Sequence, residues 1–456
     1  MKIHRLFWFA VCVGVALTTS TARAERPNVL FLFADDQRAD TIAALGNAVI
    51  QTPNIDRLVR SGLAFDRAYM QGAFHGATCI PSRAMLLSGQ NLFHVDSDLK
   101  RDPTWPKAFG ESGYTTFVSG KWHNGEASLL ASFQKGRAIF KGGMTNPLQA
   151  SVFPFSNGVR EKEAPVQKHT CEVFADETIR FLQEHSGGPF FAYVPFNAPH
   201  DPHVIPDSFP LHYEAGKIPV PANFLPEHPW DNGELNVRDE KLLPSPRTPG
   251  AVQGILAEYY RYISFLDAQI GRILDALETS PHAKNTIVVF AADSGVARGS
   301  HGLIGKQNLY ELDGIRVPLI IRGPGIPQNR RTDALCYLFD VLPTLGKRCA
   351  VAPPRGSEGI DLNPVFEDPS RSVRENLVFA YRKVQRAVCD ARWKLIRYPQ
   401  VDRVQLFDLQ NDPLETKNLA EEASQSERVQ QMTALMREQL HKSGDALDWK
   451  TVAPVQ

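Results

Sequence analysis

The chain shows no excess of either charge: its 456 residues carry 50 Lys and Arg against 50 Asp and Glu. That balance removes the electrostatic footprint of a nucleic-acid-binding protein. With 43% hydrophobic and 22% charged residues, it also excludes an acidic disordered chain. After the N-terminal segment no apolar run approaches the roughly 20 residues that span a bilayer. There is no His-Glu-x-x-His and no paired Cys-x-x-Cys that would hold zinc, and no internal repeat. Gly323-Pro324-Gly325-Ile326-Pro327 lacks the lysine and hydroxyl of a phosphate loop and reads as a turn. Cysteine is scarce, with six in the whole chain.

What is present begins with an export signal. Lys2, His4 and Arg5 precede an apolar run from Leu6 to Leu17, and Ala22-Arg23-Ala24 offers small residues for cleavage. Residues 1–24 are therefore expected to be a cleaved signal peptide that uses the secretion machinery, placing the mature protein in the periplasm or outside the cell. An uncleaved anchor is the alternative, disfavoured by a run of only about a dozen residues. Cleavage removes Lys2, Arg5 and Arg23 and no acid, so the mature chain is mildly acidic. It also removes Cys12 and leaves an odd number of cysteines, which flags one as free or chemically special. Cys79 is the candidate. Cys336 and Cys349 could pair or stay separate, and Cys171 and Cys389 read as buried or free.

The chain is longer than the roughly 250–300 residues at which single cores stop growing, so a large domain (25–352) and a smaller one (353–456) are expected. The runs Asn28–Ala34, Phe190–Phe196, Thr286–Ala292 and Val317–Ile321 lack polar alternation, as strands buried on both faces do. Helical stretches lie between them at Thr52–Ser61, Pro81–Ser88, Val173–Glu184 and Ile255–Glu278. The alternation predicts an α/β fold with a mixed, mostly parallel sheet between helices. Residues 132–168 and 202–250 read as irregular surface loops. After Pro353, short strand patterns and a polar helix near Ser424–His441 predict a small C-terminal α+β subdomain.

Two of the apolar strands end in acids, Asp35-Asp36 and Asp293. Because ligands gather beyond the carboxyl ends of such strands, these three carboxylates are expected to converge. A hard divalent cation, Ca²⁺ or Mg²⁺, is the natural occupant of such a cluster. Cys79-Ile80-Pro81-Ser82-Arg83-Ala84-Met85-Leu86-Leu87-Ser88-Gly89 places a cysteine at a helix start, where free N–H groups favour an anion, with Arg83 as a fork for oxyanions. Gly120-Lys121-Trp122-His123 follows a strand, and the two-residue spacing turns Lys121 and His123 to one side.

The segment CIPSRAMLLSG resembles the hallmark of type I sulfatases, in the alkaline-phosphatase superfamily, in which a maturation enzyme oxidises the cysteine to formylglycine. The resemblance extends over about residues 26–345, through RPNVLFLFADDQRAD and TPNIDRLVRSGLAFDRAY, and the C-terminal segment is similar to the family's subdomain. It implies Asp35, Asp36, Cys79, Asp293 and Ser294 around a calcium ion. It further implies Arg83 and Lys121 holding the hydrated aldehyde, His123 as its base, His200 of the Asn197–His203 loop as leaving-group acid, and Lys306 on the sulfate. His203 and His301 are candidate substrate contacts. Ser294 departs from the family's usual Asn or His, although a hydroxyl is a legitimate ligand for a hard cation.

The implied reaction is hydrolysis of a sulfate monoester. Trp105, Trp122, Phe140, Lys141, His203 and Trp230 suit a sulfated carbohydrate, with no nucleic acid and no stable membrane span. A phosphate or phosphonate monoester hydrolase of the same superfamily is one alternative, and a sulfated-glycan-binding pseudoenzyme is the other.

Overall fold

The structure, a computed structural model, describes residues 26–448; the expected signal peptide and Cys12 lie outside them. Five parallel strands make the centre of the main sheet, in the order Thr286–Ala292, Asn28–Ala34, Phe190–Pro195, Thr115–Lys121, Lys135–Phe140. Arg316–Arg322 and Leu63–Tyr69 extend one side antiparallel, and Ser151–Ser156 extends the other. Every residue of Asn28–Ala34, Phe190–Pro195 and Thr286–Ala292 is buried, as strands covered on both faces require. The covering helices form two groups in mutual contact: Pro53–Ser61, Thr170–Glu184 and Pro249–Glu278, and separately Cys79–Ser88, Trp105–Glu111 and Val341–Arg348. Thr248 caps the long helix, accepting from the Ala251 N–H, and Pro249 occupies its first turn, so the helix starts earlier than its apolar period shows. No described helix is long and apolar enough to cross a membrane.

Residues 132–168 are not the irregular loop expected. They contribute Lys135–Phe140 and Ser151–Ser156 to the sheet, with short pairs at Val159–Arg160 and Ala164–Pro165. The strands are short and interrupted by Gly136 and Pro154, and this weakens their alternation. Gly136 has no side chain because the Phe155 ring would lie 2.0 Å from a Cβ there. Cys336 and Cys349 do not pair. Cys336 sits in a short strand against Leu63–Tyr69, whereas Cys349 closes a helix and turns its Sγ to the Pro27 carbonyl at 3.7 Å.

A second sheet runs Arg403–Asp408, Trp393–Tyr398, Gln385–Cys389, Leu377–Tyr381, all antiparallel, and helix Ser426–Lys442 packs on it through Val429, Met432, Met436 and Leu440. Its fifth strand comes from far earlier in the chain: Gly72–Ala73 pairs parallel to Ala380 and Tyr381. Gly72 has φ 123°, and a Cβ there would stand 1.9 Å from the Ala380 carbonyl oxygen. Only glycine permits that approach. Gly72→Ala is expected to lower unfolding stability by about 2–4 kcal/mol, from strain and overpacking together. An unchanged urea midpoint would show that the two backbones do not meet there.

Candidate active site

Parallel strands end on the same edge, so the main sheet delivers its chemistry to one place. Asn28–Ala34 leads to Asp35 and Asp36, Thr286–Ala292 to Asp293 and Ser294, Phe190–Pro195 to the His200 loop, and Thr115–Lys121 ends on Lys121 itself. Asp36 has φ 63°, a left-handed conformation rare outside glycine. It is held by its own N–H donating to Asp293 Oδ1 (3.0 Å), by Tyr259 O–H donating to its carbonyl (2.6 Å), and by Ser294 Oγ–H donating to Oδ1 (2.8 Å).

The three carboxylates are fully buried or nearly so and face three buried cations. Arg83 donates to Asp293 Oδ2 from Nε (3.0 Å), and its Nη2 lies 2.9 Å from the same oxygen and 3.4 Å from Asp35 Oδ2. Lys121 Nζ donates to Asp35, and Lys306 Nζ to both oxygens of Asp36 at 2.6 and 2.7 Å. Burial opposes ionisation of Asp35, but Lys121 and Arg83 overcome it and hold its pKa far below the ordinary value. Asp293 goes the other way, pushed up to about 7 by burial and then by Asp35.

The residues fit a hard cation. Oxygens of Asp35 and Asp36 converge with a His200 nitrogen, and those of Asp35 and Asp293 converge with Cys79 Sγ, each set within 4.8 Å. Asp35 Oδ1 is buried with no hydrogen-bonding partner among the described residues, a costly state that a bound ion would relieve. Since the three cations already offset the three acids, a divalent ion would leave the site positive and matched to an anionic ester.

Cys79 opens helix Cys79–Ser88, which Gly89 closes with φ 75° and an N–H to the Met85 carbonyl (2.8 Å). Its Sγ lies 3.0 Å from His123 Nδ1. Burial pushes the thiol up to about 11 despite Lys121 and Lys306, so it is a neutral thiol near pH 7. His123 is pushed down to about 2 by burial and by Lys121, leaving a neutral imidazole able to accept a proton. That ring packs on Gly143, where a Cβ would come within 2.3 Å of Nε2. His200 donates from Nδ1 to the Asp201 carbonyl (2.7 Å), which leaves Nε2, 3.5 Å from Asp36 Oδ2, as its proton-exchanging face. Burial lowers the His200 pKa, with Asp36 acting against it.

A pocket of about 380 Å³ opens over these groups, lined by Cys79, His123, His200 and Lys306, and further out by Met144, Arg238, Asp239, Gln307 and Arg382. The outer group carried no sequence signal: Arg238 and Asp239 lie in the irregular 202–250 segment, and Arg382 in the C-terminal sheet. A larger cleft of about 490 Å³ lies apart, walled by Trp230 and residues of the Arg403–Asp408 strand, and holds none of the chemistry.

Several expected substrate contacts are elsewhere. His301 stacks on Tyr310 at 3.8 Å between centroids and bonds Asp313 (2.6 Å) and the Glu415 carbonyl (3.1 Å), inside the protein. His203 packs against Tyr259 and Tyr262 beside Arg298 and is not part of the pocket wall. Trp105 and Trp122 are core residues, each 1% exposed, and Phe140 is buried. Lys141 is exposed and paired with Glu126, and Trp230 belongs to the separate cleft. Large aromatics in this chain follow burial rather than the site.

Known proteins match this arrangement along nearly its whole length. The sulfatase family profile covers residues 27–348, and the profile of the N-sulphoglucosamine sulphohydrolase C-terminal region covers 299–443. An N-acetylglucosamine-6-O-sulfatase of Bacteroides thetaiotaomicron is 26% identical over 507 residues, covering 94% of this chain and 89% of its own. A Delta 4,5-hexuronate-2-O-sulfatase of the same organism is 27% identical over 467 residues, covering 95% and 93%. Among solved structures, one in complex with its substrate D-glucosamine-2-N,6-O-disulfate superposes with a TM-score of 0.73 at 23% identity, over 92% of this chain and 99% of the other. The phosphonate monoester hydrolase of Agrobacterium radiobacter does so with 0.75 at 23% identity, over 93% and 97%. These last two likenesses concern the fold. With the family profile spanning most of the main domain, the chain belongs to the sulfatase family and is a sulfuric ester hydrolase.

Proposed function

We propose that this sulfatase is exported and removes sulfate from a sulfated carbohydrate, with residue 79 oxidised to formylglycine by a maturation enzyme and a divalent cation, Ca²⁺ before Mg²⁺, held beside it. The observation that carries the reading is the seat of Cys79: a buried neutral thiol, useless as a nucleophile in that state, set among Arg83, Lys121, His123 and Lys306 over three converging carboxylates. Formylglycine supplies a hydrated aldehyde as nucleophile, with a second hydroxyl for the later release of sulfate. Asp35, Asp36, Asp293 and Ser294 would hold the cation, which supplies charge to activate that hydroxyl and bind sulfate oxygen. The carbohydrate reading is supported by the sugar sulfatases among the relatives.

The chain's own groups divide the remaining work. Lys306 and Lys121, paired here with Asp36 and Asp35, would offset the negative charge that builds on the transferring sulfuryl oxygens, and Arg83 fixes Asp293 and Asp35 from behind. His200 gives the proton on Nε2 to the departing alkoxide; Asp36, 3.5 Å away, favours its protonated form against burial. His123, whose Nδ1 lies 3.0 Å from the side chain of residue 79, is the neutral base that takes a proton there to expel sulfate. Phosphate or phosphonate monoesters are the second reading, favoured by the shared fold of the Agrobacterium hydrolase. Clearly higher kcat/KM on phosphorus esters than on sulfate esters would make that reading the primary one.

Expression with a maturation enzyme is expected to leave the peptide around residue 79 about 18 Da lighter than its thiol form, whereas ordinary thiol oxidation adds oxygen mass. An active preparation with the thiol mass intact would contradict the assignment. His200→Ala is expected to lower kcat by roughly 10²- to 10⁴-fold on alkyl sulfates and far less on nitrophenyl sulfate, whose leaving oxygen needs no proton. Equal losses on both would remove His200 as the acid. Ser294→Asn is expected to keep or raise Ca²⁺ affinity in calorimetric titration, since an amide oxygen reaches further toward the ion; a large loss would mean the pocket is built around the hydroxyl.

A further inference from the structure

The pocket has more positive donors than one sulfate ester uses, and they differ in how far the protein satisfies them. Lys306 pairs with Asp36 here and is already assigned to the scissile sulfate. Gln307 is locked by its Nε2 bonds to the Gly76 carbonyl (3.0 Å) and Asp239 (2.8 Å), and its Oε1 accepts from the Lys306 N–H (3.1 Å). Arg238 at the rim is pinned by both oxygens of Asp201 and by Asp239 at 2.7 Å, so two carboxylates offset its charge. Arg382 is the exception. Its Nη1 donates to Glu234 Oε1 at 2.9 Å, its Nε is buried without a partner, and its Nη2 makes no hydrogen bond among the described residues. Nη2 lies over Gly76, where a Cβ would stand 3.2 Å away.

The pairing is one-sided. Glu234 is 5% exposed and is also bonded by Tyr381 O–H (3.3 Å), whereas the Arg382 side chain is 41% exposed and lines the same pocket as Cys79. A ligand therefore meets the guanidinium and not the carboxylate behind it. The backbone is held as well: the Arg382 N–H donates to the Ala73 carbonyl at 2.7 Å, in the strand just ahead of the Cys79 helix. A guanidinium with an unused Nη2 donor, fixed from behind by Glu234 at the outer wall of an anion-hydrolysing pocket, suits an oxyanion.

Resting on the sulfatase reading above, we propose that Arg382 binds a second anionic group, a carboxylate or another sulfate, on the sugar whose sulfate is cleaved, and that doubly anionic sugars are the preferred substrates. The test compares a singly sulfated sugar with two relatives bearing the same scissile sulfate, one with an added sulfate and one with an added uronic carboxylate. Binding is measured by calorimetry on the Ca²⁺-loaded Cys79→Ala protein, and kcat/KM on the matured enzyme. At least one doubly anionic ligand is expected to be favoured about tenfold in the parent, the scale of one charge-assisted hydrogen bond, and the arm that shows it identifies the anion. Arg382→Gln is expected to collapse that ratio toward one through KM rather than kcat, with Arg382→Lys intermediate. Added salt should shrink the parent's preference, a reading that needs no variant to fold. No preference in the parent, or a ratio that survives in Arg382→Gln, overturns the proposal. Preferential binding without sulfate release from any of the three would sink the sulfatase assignment of the site and leave the Arg382 subsite standing.

Discussion

Three carboxylates buried beside three buried cations, at the carboxyl ends of the parallel central strands, set the terms for everything else in this protein. Removing so many charges from water is expensive, and breaking one buried pair typically costs about 3–5 kcal/mol. The arrangement persists because the strands that carry it are wholly buried and cannot slide: Asn28–Ala34 is paired along its length with Thr286–Ala292, so Asp35 and Asp293 emerge side by side. Even so the balance is incomplete, with one carboxylate pushed toward neutrality and one oxygen unpartnered. A fold that keeps such a deficit at its centre is prepared for a cation and an anionic substrate together.

The second sheet takes part in this site. Gly72–Ala73 is its fifth strand, six residues ahead of Cys79, so the entry to helix Cys79–Ser88 is registered on C-terminal residues. A buried Lys394 joins Glu311 (3.0 Å) and Glu415 (2.9 Å), tying the C-terminal sheet to the loop after Lys306. Through these contacts the C-terminal region positions the pocket's outer wall, where Arg382 sits, while the main sheet builds its floor.

How much of this was legible from residues alone follows from where each signal arises. The floor was legible because its determinants are local: unbroken apolar runs ending in acids, a cysteine and an arginine four residues apart in one helix, and Lys121 and His123 separated by two. The outer wall was not. Arg382 reaches the pocket through a strand pairing some three hundred residues away in sequence, and nothing in a charged residue at a hairpin announces that. His301 misled because a loop beside Lys306 need not send every side chain the same way; its ring turns inward to Asp313. The tryptophans misled because an aromatic's area serves a core as well as a sugar face. Lys135–Phe140 and Ser151–Ser156 were hidden by glycine and proline in short strands that hold their place by pairing.

The most direct test is crystallographic: the matured protein grown with calcium, with anomalous data to place the ion. The account requires a single peak ligated by oxygens of Asp35, Asp36 and Asp293 and touching an oxidised residue 79, with Asp35 Oδ1 no longer unpartnered. An active crystal in which those three acids hold no ion, with Lys121 and Lys306 still paired to them as here, would contradict it.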